Sequence, residues 1–247
     1  MPAKQVVLGR SRTRTDAVLT GAAGGQRDGM TRTQHDLLRV LLDRYGRTYA
    51  AEAGIRLSDR PSPLYQLLVL ATLLSARISA AVAVGAAREL FAAGYRTPRA
   101  MAEATWQNRV DALGRGHYRR YDERTATMLG NGAELLASRW GGDLRKLHRD
   151  ADGDTDRIRS LLTEFPGIGP AGADIFLREV QATWLDVAPY LDRRVLDGAR
   201  KLGLPDQAGE LAALAGAERP LTRLAAALVR VSISRHAADD LISAAES

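Results

Sequence analysis

Two short segments of this sequence combine residue types that could do chemistry. The first is Phe165–Ile175, reading FPGIGPAGADI. An apolar stretch runs into Pro166, a Gly-Ile-Gly turn follows, and a second apolar stretch begins at once. Gly167 and Gly169 permit φ > 0 and a close approach of the main chain to another group. Pro170 suits the first position of a helix, where its missing N–H is no loss. The amides at that helix start, together with the positive end of the dipole, form an anion site. Two helices joined in this way can hold nucleic acid by its phosphates without reading sequence. The same Gly-Pro punctuation also serves a plain tight turn between helices. The second segment is Tyr190–Val195, reading YLDRRV. Its Asp192 either caps the helix that follows or offers a charged carboxylate to a reacting centre.

Taken together, the two segments resemble those of the helix-hairpin-helix DNA glycosylases of the endonuclease III superfamily. That family's hairpin reads Leu-Pro-Gly-(Val/Ile)-Gly, with an aspartate downstream. The match continues through Leu67–Ser79 (LLVLATLLSARIS) and Gly114–Ala126 (GRGHYRRYDERTA), so it covers about residues 64–202 in the family's order. The resemblance implies that Asp192 stabilises the positive charge that builds on the sugar as an N-glycosidic bond breaks. Asp186 is the fallback carboxylate. Gly167, Ile168, Gly169 and Ala171 fall at the DNA-gripping hairpin. Arg77 stands where relatives place a glutamine that enters the duplex beside the flipped nucleotide; a solvated arginine at a helix end is the competing reading. His117 and Tyr118 fall at the loop that supplies a wedge, which stacks in the gap left by base flipping. For Tyr118, packing between helices is the alternative.

Departures from the family narrow the expected activity. Relatives that also cut the backbone carry a lysine at the position of Ala171, which attacks the sugar as an amine nucleophile. The adenine-excising branch carries a glutamate where this chain has Ala71. The expectation is therefore a monofunctional glycosylase that acts on double-stranded DNA holding a damaged or mismatched base, and that is not adenine-specific. Two other classes stay open: a non-catalytic binding module that keeps the hairpin, and an arginine-rich helical interaction protein. Many relatives bind an iron–sulfur cluster through four cysteines, and this chain has no cysteine. No cofactor is expected, apart from room for a monovalent cation at the hairpin carbonyls.

Composition agrees with a polyanionic partner. Lys+Arg number 35 against 29 Asp+Glu, giving +6, which favours phosphate contacts. Only Lys4, Lys146 and Lys201 are lysines. The absence of cysteine excludes disulfides, thiolate zinc sites and Cys nucleophiles. The four histidines (His35, His117, His148, His236) lack metal-ligand spacing. Met1–Met30 lacks the apolar core of a signal peptide and reads as a basic arm. Leu64–Leu74 is too short to span a bilayer. A monomeric, cytoplasmic, nucleoid-associated protein without membrane contact is expected.

The elements that must position these residues read as helices almost throughout. Helices are expected over Thr31–Ala53, capped by Thr31 or Thr33, and over Leu64–Leu74, apolar on nearly every side and hence central. Further helices are expected over Ser79–Ala93, from Pro98, over Thr105–Leu113 and over Asp122–Trp140. The hairpin arms are Thr155–Phe165 and Ala171–Gln181, followed by Asp192–Leu202, Glu210–Ala215 and Leu221–Arg235. The fold class is all-α, a two-lobed helical bundle with the DNA and base cleft between lobes. One lobe is expected at 64–183, the other at 31–63 plus 184–247, with 1–30 a flexible basic arm.

Overall fold

A computed structural model describes residues 32–216 and 220–245, so the expected arm at 1–30 and the candidate cap Thr31 lie outside the described residues. The fold is all-α, with fourteen α-helices and no strand among the described residues. The first group is α1 (Arg32–Tyr45), α2 (Tyr49–Glu52), α3 (Pro61–Leu74), α4 (Ala80–Ala92) and α5 (Pro98–Glu103). Next come α6 (Trp106–Arg115), α7 (Asp122–Trp140), α8 (Leu144–Asp150), α9 (Thr155–Thr163) and α10 (Pro170–Val180). A 3-10 turn at Leu185–Val187 leads to α11 (Arg193–Lys201), α12 (Ala208–Ala215), α13 (Leu221–Ile233) and α14 (Ala237–Ala245).

Side-chain chemistry sets most of the boundaries. Ser79, Thr97 and Thr105 accept from the amides of Val82, Ala100 and Asn108, so α4, α5 and α6 each begin one residue after a hydroxyl cap. Asp154 caps α9 by accepting from the amides of Asp156 and Arg157. The long first helix expected over Thr31–Ala53 is broken at Gly46-Arg47-Thr48, where Thr48 caps the short α2. Helices α8 and α14 were not expected.

The core forms around α3, whose Leu64, Leu67, Leu70 and Leu73 are all fully buried. Each such leucine contributes about 1.5–3 kcal/mol by leaving water. This main core runs from Tyr49 to Val187. Residues 49–63 and the Trp184–Val187 turn therefore pack with the 64–183 helices, not with the lobe to which the sequence reading gave them. The buried side chains of α1 and α11–α14 form a second apolar group, including Leu38, Leu41, Val195, Leu211 and Leu228. Gly198 lets α11 lie directly on α13, because an added Cβ there would collide with the Leu228 backbone.

Two buried polar residues at the end of α10 tie segments of the main core together. The Glu179 carboxylate accepts from the amides of Tyr49 (2.9 Å) and Ala50 (3.2 Å), fixing the start of α2 against α10. Burial pushes the Glu179 carboxyl up, opposed by those backbone donors. Gln181 brackets the Tyr190 backbone: its Oε1 accepts from Tyr190 N at 2.9 Å and its Nε2 donates to Tyr190 O at 3.1 Å. These bonds hold the chain just before Asp192 at a fixed height beside α10.

Candidate functional site

The hairpin forms between α9 and α10. Gly167 has φ +88°, and a Cβ there would lie 2.9 Å from Met128 Sδ and 3.0 Å from Thr72 Cγ2. The position thus needs glycine twice over, for conformation and for space. Gly169 differs from the expectation: its φ of −90° is ordinary, and a Cβ there would meet nothing. Ile168 is buried and anchors the turn from below, while Gly169, Pro170 and Ala171 are exposed. The amides of Gly167, Gly169 and Ala171 find no acceptor among the described residues. No side chain caps α10, and Pro170 opens it. The result is an exposed, uncapped helix start with free amides, a geometry that suits an anion.

Beside this start lies a cavity of about 590 Å³. Helix α10 contributes Ala171, Asp174, Ile175 and Arg178 to its wall. Their spacing of three, four and seven residues is one face of a helix. Asp192, Arg193 and Arg194 enter from the start of α11, and Arg77 from the loop after α3. Tyr49, Val229 and Ile233 supply apolar surface.

Asp192 takes the capping role and also forms an ion pair at the cavity wall. Its Oδ1 accepts from Val195 N at 3.3 Å, capping α11, while Oδ2 accepts from Arg178 Nη1 at 2.5 Å. Both partners of this ion pair are deeply placed, with side-chain exposures of 9% and 8%. The carboxyl does not keep its ordinary pKa: burial pushes it up, against the pull of Arg178 and the Val195 amide. A second carboxylate of the cavity, Asp174, accepts from Arg159 Nε and from the Tyr190 hydroxyl, each at 2.7 Å. Burial and that bond raise the Tyr190 hydroxyl, so it stays a neutral donor.

The other expected residues separate. Arg77 is exposed and lies between this cavity and a second hollow of about 270 Å³, bordered by Tyr121, Arg124, Met128 and Gly167. His117 is exposed at φ 62°, at the tip of the loop between α6 and α7. Tyr118 is not a wedge: it is fully buried, and its hydroxyl donates to Leu73 O at 3.4 Å. Asp186 lies away from the cavity, where its Oδ2 pairs with His148 Nε2 at 2.8 Å and His148 stacks on Trp184. Lys201 Nζ donates to the carbonyls of Val231, Ser232 and Ser234, closing the end of α13. Among the described residues no lysine lines the cavity.

Arg178, Asp174, Gln181 and Tyr190 were missed from the sequence. A signal was present: Arg178, Glu179 and Gln181 interrupt an apolar helix at positions that tertiary packing buries. A larger groove of about 1290 Å³ opens between the starts of α3 and α5. It contains none of the hairpin or Asp192 residues, and its one carboxylate, Glu103, is paired with Arg99 at 2.7 Å. Ala171 of the hairpin and Asp192, both singled out from the sequence, thus meet in the smaller cavity. Among the described residues no group of three or more His, Asp or Glu side chains could hold a metal ion, and no helix is long and apolar enough to cross a membrane.

Comparison with solved structures gives two endonuclease III complexes with DNA. One is a trapped covalent intermediate, an estranged-adenine complex, and covers 81% of this chain and 85% of that chain. The other is a non-covalent complex and covers 83% of this chain and 85% of that chain. Both are 18% identical with a TM-score of 0.43. No family model and no curated protein matches the sequence.

Proposed function

We propose that this protein is a monofunctional DNA glycosylase, hydrolysing the N-glycosidic bond of a damaged or mismatched base flipped out of duplex DNA. The observation that carries the reading is the pairing of the free amides of Gly167, Gly169 and Ala171 with the Asp192 cavity at the start of the same helix. A phosphate held on the amides puts the sugar of a neighbouring nucleotide near the cavity mouth. The cavity's apolar wall suits an extruded base.

In this scheme water attacks the anomeric carbon, the bond to the base nitrogen breaks, and its electron pair leaves with the base. The Asp192 carboxylate faces the positive charge on the sugar and accepts the proton of the attacking water. Ala171 offers a methyl group where lyases of this type need an amine, and Lys201 is committed to the end of α13. The product is then an intact abasic strand. Duplexes carrying uracil, thymine mismatches, oxidised pyrimidines or alkylated bases test this directly. Strand breaks should appear only after alkali, and borohydride should trap no protein–DNA adduct. Efficient trapping would contradict the monofunctional reading.

One observation favours a second reading, a damage-binding protein without excision. Both Asp192 oxygens already have partners, one of them a buried guanidinium. Tight binding to distorted duplex with no alkali-labile site on any substrate would select that reading.

A further inference from the structure

The carboxylate that the proposed function needs is nearly dry, and burial opposes its charge. Isolated buried carboxylates take up a proton, and a cation within hydrogen-bond reach reverses that tendency. Several groups face Asp192. Helix α10 offers Arg178 and Asp174, and α11 offers Arg194, Arg193 and the Val195 amide. Arg77 comes from the loop after α3 and Tyr49 from α2, while α13 gives only apolar Val229 and Ile233. Arg193, Arg194 and Arg77 are exposed, so water screens them. Asp174 carries a like charge and is itself held by Arg159 and Tyr190. Arg178 alone among the cations is buried and in direct contact, at 2.5 Å.

Arg178 is also built into place. It lies one turn beyond Asp174 on the cavity face of α10, and its own carbonyl accepts from Gln181 Nε2 at 2.9 Å. The same Gln181 side chain brackets Tyr190, two residues before Asp192. One amide thus sets the register between the guanidinium and the carboxylate.

We infer that Arg178 is a positioning residue: from the wall of α10 it fixes Asp192 Oδ2 and keeps the Asp192 charge in the cavity at neutral pH. Its importance for excision rests on the glycosylase reading; its effect on the Asp192 charge does not. The guanidinium takes one acceptor site of Oδ2 and the Val195 amide one of Oδ1, and a carboxylate has further acceptor sites for water or a sugar cation.

The test uses the full chain labelled with ¹³C at the aspartate carboxyls, with D192N assigning the Asp192 resonance. R178Q keeps a hydrogen-bond donor but no charge, and R178K keeps the charge. In R178Q the Asp192 carboxyl should titrate at least about one pH unit above wild type, whereas R178K should stay close to wild type. On a substrate that wild type cleaves, the acid limb of single-turnover base release should move up in R178Q by the same interval and return in R178K. An unchanged Asp192 titration in R178Q overturns the inference. A pH-independent loss of rate in R178Q overturns it too, since that is what a merely structural role gives. If the titration moves but wild type releases no base, the positioning role stands and the glycosylase reading falls.

Discussion

Asp186 and Asp192 are the same residue type six positions apart, yet the fold gives them opposite fates. Asp186 sits on a 3-10 turn with its side chain 43% exposed, paired with the ring of His148. Asp192 has 9% exposure, caps α11 and meets a buried arginine inside a cavity. Water screens the first pair, which makes such a contact worth little. The second pair has lost its water, so each partner depends on the other. What separates the exposed carboxylate from the buried one here is a pair of buried side chains, Arg178 on α10 and Gln181 just after it, that hold Asp192 facing a space.

The largest effect that sharpens this contrast is on stability. Arg178→Met leaves the Asp192 charge buried without its partner, which should cost about 3 kcal/mol at pH 7. Burial already holds the Asp192 carboxyl above its unfolded value. Its contribution is therefore fully present below the unfolded pKa and lost as pH rises through the folded one. Without Arg178 the folded pKa climbs further, so the deficit should shrink when urea denaturation is repeated at pH 5. A deficit equal at both values would mean that Asp192 is not the group responsible.

Gly167→Val comes next. A β-branched residue is strained at φ +88° and its Cβ would press on Met128 and Thr72. Thermal or urea unfolding should show a loss of about 1–3 kcal/mol, with duplex affinity weakened beyond that of the folded fraction. Asp186→Asn should change stability by at most about 1 kcal/mol and leave DNA affinity alone. Gly169→Ala is the smallest on stability, within about 0.5 kcal/mol, since its Cβ points into open space. Yet that methyl group stands at the free amides of the proposed phosphate grip, so duplex affinity measured by fluorescence anisotropy should fall. Unchanged affinity in Gly169→Ala would move the DNA grip away from the hairpin.

The same contrast explains what could be read from the sequence. The hairpin was legible because its requirements are local: a positive φ at Gly167, a proline at the first helical position, a buried Ile168 between them. The limits of α7 at Asp122 and Trp140 were legible for the same reason, with acidic residues in the first turn and Gly141 after the last. Helix α8 was missed because only Leu144 and Leu147 of its seven residues are buried, too short a run to show a period. Asp192 could be singled out as a carboxylate, but its partner could not. Arg178 is fourteen residues away in sequence, and only the path of the chain around the Trp184–Tyr190 connection brings the two together. For the same reason the sequence left open whether Tyr118 is a wedge or packs between helices, and its burial beneath the loop, with its hydroxyl on Leu73 O of α3, gives the packing role.

The most direct test of the account is base release by the wild-type protein and D192N under single-turnover conditions, read as alkali-labile sites on duplexes with the lesion panel. Wild type should release a base from at least one duplex. D192N should bind that duplex as tightly and release the base at least about a hundredfold more slowly, the usual scale for a group that stabilises transition-state charge. Base release by D192N at the wild-type rate would contradict the assignment of the chemistry to this cavity.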